Sequence, residues 1–102
     1  MAIELPLVSV IIPCYNSQIY LAETIDCIIG QTYSNIEIIA VDDSSTDLTP
    51  EILSNYENGI IVIRLDENSG VGSAINAGVK ASSGELIFII GSDDLISKNT
   101  LE

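Results

Sequence analysis

The chain has 102 residues and a formal net charge of −12, because three basic residues oppose fifteen acidic ones. This length allows one domain or the first part of one. The shortage of Lys and Arg argues against nucleic acid as a partner, since phosphate backbones are bound by clustered cations. Neither a long apolar run nor a secretory signal is evident, so we expect a cytoplasmic protein. Any membrane association would come from parts absent from this chain.

Four apolar runs rich in Ile and Val predict four strands that are buried on both faces. They cover residues 7–12, 36–41, 60–65 and 85–90. Helical spacing of apolar residues separates them, so the predicted order is β-α-β-α-β-α-β. This order predicts an α/β fold with a Rossmann-like parallel sheet and right-handed crossovers. We expect residues 1–102 to form a single domain or part of one.

The three connecting segments each predict a helix. The first ends at Gly30, and the second has Thr49 as its N-cap and stops at Gly59. The third covers residues 71–80. Its predicted inward face consists of Val71, Ala74, Ile75, Gly78 and Val79.

Acidic residues follow three of the four predicted strands. In a parallel sheet the strands end at one edge, and ligands bind outside those carboxyl ends. Single acids in turns are ordinary loop chemistry, but a crowded set favours a ligand that brings a counter-charge. Oxygen ligands in a chain without His suit Mg²⁺ or Mn²⁺, which also take ligands from a diphosphate. The sequence therefore predicts a metal and a nucleotide near Asp42, Asp43, Asp47, Asp66, Glu67, Asp93 and Asp94.

Several other chemistries lack their residues. The dinucleotide fingerprint should follow the first strand, but Pro13-Cys14-Tyr15-Asn16 stands there, and no Walker A loop is present. Without His, a Ser-His-Asp arrangement is unsupported, and Cys14 and Cys27 are predicted to be inert thiols. A nucleotidyltransferase would need a glycine-rich and basic loop after the first strand. A response-regulator receiver would need its acid pair after the first strand, whereas here the pair follows the second.

Several segments in order and spacing resemble the start of a family 2 glycosyltransferase of the GT-A fold. They are residues 8–16, Tyr20-Leu21, Gln31-Thr32-Tyr33, residues 37–39 and 41–47, Asn68 with Gly70, Asn76-Ala77-Gly78 and Gly84-Glu85. The resemblance covers nearly the whole chain. It implies transfer of a sugar from a nucleotide diphosphate sugar, with a UDP-sugar as the expected donor, in polysaccharide or glycoconjugate synthesis.

The resemblance also implies roles for four residues near the nucleotide. Pro13 and Tyr15 would border the base, and Asp43 would accept a hydrogen bond from it. Uracil presents an N–H group that a carboxylate can bind in this way. Asp42 would support the same turn.

The metal site and the catalytic base are implied further along the chain. Asp93 takes the last position of the family's D-x-D motif and, with Asp94, would bind Mn²⁺ or Mg²⁺. Gly91 replaces the first aspartate of that motif, and Ile75 replaces an arginine common in the family, so we expect weaker donor binding. The acceptor-binding half and the base are expected beyond Glu102. The alternative is a non-catalytic nucleotide- or metal-binding fragment, or an interaction module.

Overall fold

The computed structural model describes residues 5–56 and 58–92. Within them, strands and helices alternate in the predicted order. The elements are β1 (Val8–Cys14), α1 (Leu21–Ile29), β2 (Ile36–Asp42), α2 (Thr49–Ser54), β3 (Ile61–Arg64), α3 (Val71–Ala81) and β4 (Leu86–Ile89). All three strand pairs are parallel, and the order across the sheet is β3-β2-β1-β4. The predicted Rossmann-like α/β fold is confirmed.

Helices cover both faces of the sheet. Successive side chains of β1 alternate between the faces. Val10 and Ile12 pack with α1 and α2, whereas Ile11 packs with Ala74 of α3. The chain moves from β1 to β3 in one direction and then returns past β1 to β4. Right-handed crossovers therefore place α3 opposite the first two helices.

The direction of the chain reverses between β1 and β4, which makes their carboxyl ends the topological switch point. Ile90 still donates its backbone N–H to the Ile11 carbonyl at 3.0 Å. Pro13, two residues further along β1, has no N–H with which to continue this pairing. On the other side, β1 stays paired with β2 as far as Cys14. The end of β1 is therefore bonded to β2 while its pairing with β4 has stopped.

The second helix differs from its prediction at both ends. Leu48 is the N-cap residue, Thr49 is the first helical residue, and α2 ends at Ser54 rather than at Gly59. The Thr49 hydroxyl does not cap the helix, because it accepts the backbone N–H of Ser17 at 2.8 Å. A bond to a distant loop thus replaces the local cap.

The inward face predicted for α3 is wrong at its two valines. Val71 is 65% exposed and Val79 is 38% exposed, whereas Ala74 and Gly78 are buried. The helix lies close to the sheet, since a Cβ atom at Gly78 would be 2.6 Å from the Ile11 side chain. At Gly78 the helix therefore has no room for a larger side chain.

Both cysteines are free thiols, with Cys14 buried and Cys27 half-buried. Burial raises the pKa of Cys14 to about 12, and the charge of Asp42 acts in the same direction. Cys14 is therefore protonated at neutral pH and a poor nucleophile, as predicted. Among the residues that the structure describes, no helix is long and apolar enough to cross a membrane.

Candidate functional site

Asp42 is the last residue of β2 and is only 1% exposed. One of its carboxylate oxygens accepts the backbone N–H of Ser45 at 3.1 Å, and the other forms an ion pair with the Arg64 guanidinium. Arg64 also donates to the Ser45 carbonyl at 3.3 Å. Asp42 therefore supports the turn after β2, and its counter-charge comes from a protein side chain.

Asp43 anchors the loop between β3 and α3. Its two carboxylate oxygens accept the backbone N–H groups of Ser69 at 2.8 Å and Gly70 at 2.9 Å. Gly70 has φ 95° and ψ 162°, a conformation that strongly favours glycine. The side chain is 3% exposed. Each oxygen has a second lone pair, so Asp43 retains capacity to accept a further hydrogen bond.

Tyr15 directly follows β1 and Asp43 directly follows the neighbouring β2, so both lie at the carboxyl edge of the sheet. The carbonyl of Cys14, the residue before it, accepts the backbone N–H of Asp43 at 2.8 Å. The Tyr15 ring is 48% exposed, and Pro13 is half-buried within β1. The structure thus brings the four predicted nucleotide residues to one edge. Asp42 faces the α1 and α2 side with Cys14, however, while Asp43 bonds toward α3.

The loop after β1 is fastened to the loop after β2. Asn16 donates its backbone N–H to the Ser45 hydroxyl at 2.9 Å, and its side-chain oxygen accepts the backbone N–H of Thr46 at 2.8 Å. Asn16 has φ 47°, in the left-handed region that asparagine tolerates better than most residues. These reciprocal bonds fix the residue that follows Tyr15.

A second reciprocal pair extends this fastening. Gln18 donates its backbone N–H to Asp47 at 3.2 Å, and its side-chain oxygen accepts the N–H of Leu48 at 2.9 Å. Sequence reasoning missed Asn16, Gln18 and Ser45 as contacts, because these residue types indicated only turns. Their bonding depends on the β1–β2 register, which brings the two loops side by side.

Asp42, Asp43 and Asp47, near this edge, each have their own hydrogen-bond partners within the protein. The Asp47 carboxylate accepts the backbone N–H of Thr49 at 2.9 Å. Burial would raise the pKa of Asp47, but hydrogen bonds from Thr49 and Gln18 outweigh it, and the pKa is lowered. Residues 5–56 and 58–92 contain no group of three His, Cys, Asp or Glu side chains that could hold a metal ion. The predicted metal residues Asp93 and Asp94 lie outside the described residues.

A cavity of about 310 Å³ lies between the loop after β1 and the end of β4, at the switch point. Two exposed tyrosine rings contribute to it, Tyr15 at 48% and Tyr20 at 53% exposure. Its lining is completed by small polar side chains and one isoleucine. The lining residues are Tyr15, Asn16, Ser17, Ile19, Tyr20 and Ser92. The fold and this edge together define a Rossmann-like α/β domain with a cavity at its switch point.

Comparison with known proteins is consistent with that class. The family model described as glycosyl transferase family 2 matches residues 9–102. The chain is a member of this family, and the predicted resemblance is confirmed. It is 41% identical over 99 residues to glycosyltransferase GlyG of Streptococcus pneumoniae serotype 4, and the match covers 94% of this chain and 33% of GlyG. It is also 41% identical to the putative teichuronic acid biosynthesis glycosyltransferase TuaG of Bacillus subtilis, covering 95% of this chain and 40% of TuaG.

Solved structures give the same result for the fold. S. aureus TarS 1–349 in complex with UDP superposes with a TM-score of 0.88 at 38% identity, covering 93% of this chain and 30% of TarS 1–349. TarS 1–349 has also been solved with UDP-GlcNAc. The mannosyltransferase PcManGT from Pyrobaculum calidifontis, in complex with GDP-Man and Mn²⁺, superposes with a TM-score of 0.84 at 30% identity. The match covers 88% of this chain and 28% of PcManGT. The fold is therefore that of the GT-A glycosyltransferases. The chain spans about a third of the length of these relatives.

Proposed function

We propose that this chain is the donor-binding half of a glycosyltransferase that uses a nucleotide diphosphate sugar, with a UDP-sugar as the donor. The observation that carries the proposal is the backbone bond from the Asp43 N–H to the Cys14 carbonyl, which places Asp43 and the exposed Tyr15 on adjoining loops at the carboxyl edge of a parallel sheet. An exposed aromatic ring offers a face for a base. A carboxylate with a spare lone pair accepts a ring N–H.

The donor's base follows from the chemistry of this pair and from one relative. Uracil presents a single N–H group between two carbonyls, which suits one carboxylate. TarS 1–349, at 38% identity, has been solved with UDP and with UDP-GlcNAc. PcManGT, at 30% identity, has been solved with GDP-Man. We therefore propose uridine as the preferred nucleoside and guanosine as the competitor to test.

A divalent cation is part of the proposal. Asp42 is paired with Arg64 and Asp43 is bonded to two N–H groups, so neither is a suitable ligand. Asp93 and Asp94 are adjacent carboxylates, and such hard oxygen donors fit Mg²⁺ or Mn²⁺ with water and phosphate oxygens completing the shell. When bound, the cation would act as a Lewis acid that stabilises the leaving diphosphate. PcManGT has been solved with Mn²⁺.

The acceptor-binding half and the catalytic base are proposed to belong to residues beyond 102. The pathway is proposed to be polysaccharide or glycoconjugate synthesis, in line with the name of TuaG. Incubating the chain with UDP-sugar and candidate acceptors should then give no transfer product. Efficient transfer by residues 1–102 would contradict this division of roles.

Titration calorimetry with UDP and GDP, with and without MnCl₂, tests donor binding. We expect UDP to bind in the presence of Mn²⁺ and GDP to bind at least ~10-fold more weakly, a difference of about 1.4 kcal/mol. Tyr15→Ala should weaken UDP binding by about 10-fold, because base–aromatic stacking contributes about 1–3 kcal/mol. Tyr56→Phe is the control, since it removes a hydroxyl bonded to Asp26 on the side of α1 and α2. Equal affinity for GDP would contradict the uridine assignment, and absence of binding by either nucleotide would contradict donor binding.

A further inference from the structure

Ser17 contacts the segments that follow β1, β2 and β4. Its backbone N–H binds the Thr49 hydroxyl at 2.8 Å, at the start of α2. Its own hydroxyl lies 3.2 Å from the Tyr15 N–H and 3.3 Å from the Tyr15 carbonyl oxygen. The same hydroxyl is 2.5 Å from the Ser92 hydroxyl, beyond β4. Ser17 therefore joins these segments, through its hydroxyl to Tyr15 and Ser92 and through its backbone N–H to Thr49.

The three hydroxyl contacts can exist at the same time. A serine hydroxyl has one proton and two lone pairs. If Ser92 donates to Ser17, the Ser17 proton goes to the Tyr15 carbonyl and the second lone pair accepts the Tyr15 N–H. Ser92 is also held from the other side, because its carbonyl accepts the hydroxyl of the fully buried Thr24 at 2.9 Å.

This contact lies beyond the paired residues of β1 and β4. Their pairing ends at Ile11 and Ile89, Ile90 donates its N–H to the Ile11 carbonyl, and Pro13 has no N–H with which to extend the pairing. The Ser17–Ser92 contact bridges the two strand ends beyond that point. The spacing of Tyr15 from the end of β4 therefore depends on two hydroxyl groups.

We propose that Ser17 is a positioning residue that sets Tyr15 relative to Ser92, so that one ligand reaches both strand ends. The inference rests on the proposed function. The ligand is a nucleoside diphosphate whose base lies on Tyr15 and whose phosphates reach the end of β4. A nucleoside alone uses the first contact only. The ratio of UDP affinity to uridine affinity therefore measures how well the two ends are aligned.

The test is calorimetric titration of the full chain with UDP and with uridine, both with MnCl₂. Ser17→Ala should lower the ratio of UDP to uridine affinity about five-fold, the effect of one net hydrogen bond. Ser92→Ala removes only the shared contact and should also lower the ratio, by no more than Ser17→Ala, which in addition removes two bonds to Tyr15. The double variant should lower the ratio no further than Ser17→Ala. Ser17→Thr keeps the hydroxyl and should restore the ratio.

Ser82→Ala is the matched control. It also removes a serine hydroxyl bonded to a backbone carbonyl, that of Val79 at 2.6 Å, but at the opposite end of α3. Its affinity ratio should equal that of the wild type, and thermal melts of each variant monitor folding. If wild-type chain binds UDP but Ser17→Ala leaves the ratio unchanged, the positioning role is wrong and the proposed function stands. If wild-type chain binds no UDP, both fail.

Discussion

The two ends of α3 are held in the same way, by carboxylates at the two ends of β2. Glu37 lies in β2 and Asp43 directly follows it, and both carboxylates bond to loops that flank α3. At the end of α3, Glu37 accepts the backbone N–H of Ser83 at 2.5 Å. At its start, Asp43 accepts the N–H groups of Ser69 and Gly70. A carboxylate therefore fastens each loop that flanks the helix.

The difference between the two ends is space. A Cβ atom at Gly84, after α3, would lie 2.4 Å from the Ser9 hydroxyl and 2.7 Å from the Ser9 nitrogen. A Cβ atom at Gly70, before α3, would have no atom within 4 Å. The amino edge of the sheet is closed by packing, whereas the carboxyl edge is fastened equally well but left open. An open edge with fixed loops is what a binding site requires.

Adding a methyl group at Gly84, in the tightly packed loop after α3, should have the largest effect. Gly84→Ala places a methyl group against Ser9 and against the Leu7 carbonyl at 2.9 Å, and backbone atoms cannot yield easily. We expect a loss of about 3 kcal/mol in the free energy of unfolding, measured by urea titration. Gly72→Ala is the control, since it meets no atom within 4 Å in the interior of α3 and should gain about 0.5 kcal/mol. Equal stability of the two variants would show that the amino edge is not tightly packed.

Removing the charge of Asp43, which holds the loop before α3, should have the next largest effect. Asp43→Asn places an amide N–H₂ against one of two backbone N–H groups, so we expect a loss of about 2 kcal/mol in urea unfolding. UDP binding should fall as well. Asp66→Asn removes the same charge from an exposed residue of the neighbouring loop and should change stability by less than about 0.5 kcal/mol. If Asp43→Asn has the stability of Asp66→Asn, the carboxylate does not hold the loop.

The fold could be predicted from sequence because its signals are local. Four Ile- and Val-rich runs and the helical spacing between them give the element order, and crossover handedness gives the sheet. The placement of Tyr15 and Asp43 at one edge of the sheet also follows, since parallel strands end together. Helix ends were less predictable. Thr49 indicated a cap, but Ser17, which is distant in sequence, takes its hydroxyl.

Contacts between distant loops could not be predicted. Nothing in the sequence indicates that Arg64 pairs with Asp42, because that pairing depends on the register of β2 with β3. Likewise, Ser17 and Ser92 meet only because β4 returns beside β1. The expected crowding of acids was wrong in one respect. Asp42 and Asp43 have their own partners within the protein.

A substitution at Gly70 that strains the backbone before α3 without a steric clash should have a smaller effect. Gly70→Ala has room for the methyl group, but φ 95° and ψ 162° are unfavourable for alanine, at a cost of about 1–2 kcal/mol. We expect urea unfolding to show this loss and UDP affinity to fall, because the strained loop is bonded to Asp43. A loss as large as that of Gly84→Ala would mean that the start of α3 is as tightly packed as its end.

The smallest effect should be the pH dependence at the closed end. The hydrogen bond from the Ser9 hydroxyl, and then that from the Ser83 N–H, hold the pKa of Glu37 below its usual value. A carboxyl with a lowered pKa stabilises the folded state above its unfolded pKa of about 4.3, and this contribution is lost as the pH falls through the folded pKa. The stability difference between wild type and Glu37→Gln should therefore stay constant from about pH 7 to pH 5 and shrink at lower pH. Glu37 is half-exposed, so we expect the change to be about 0.5 kcal/mol or less.

Urea titrations of wild type and Glu37→Gln at several pH values measure this change, and the acids common to both proteins cancel in the difference. A difference that stays constant to about pH 3 would show that Glu37 holds the end of α3 without its charge.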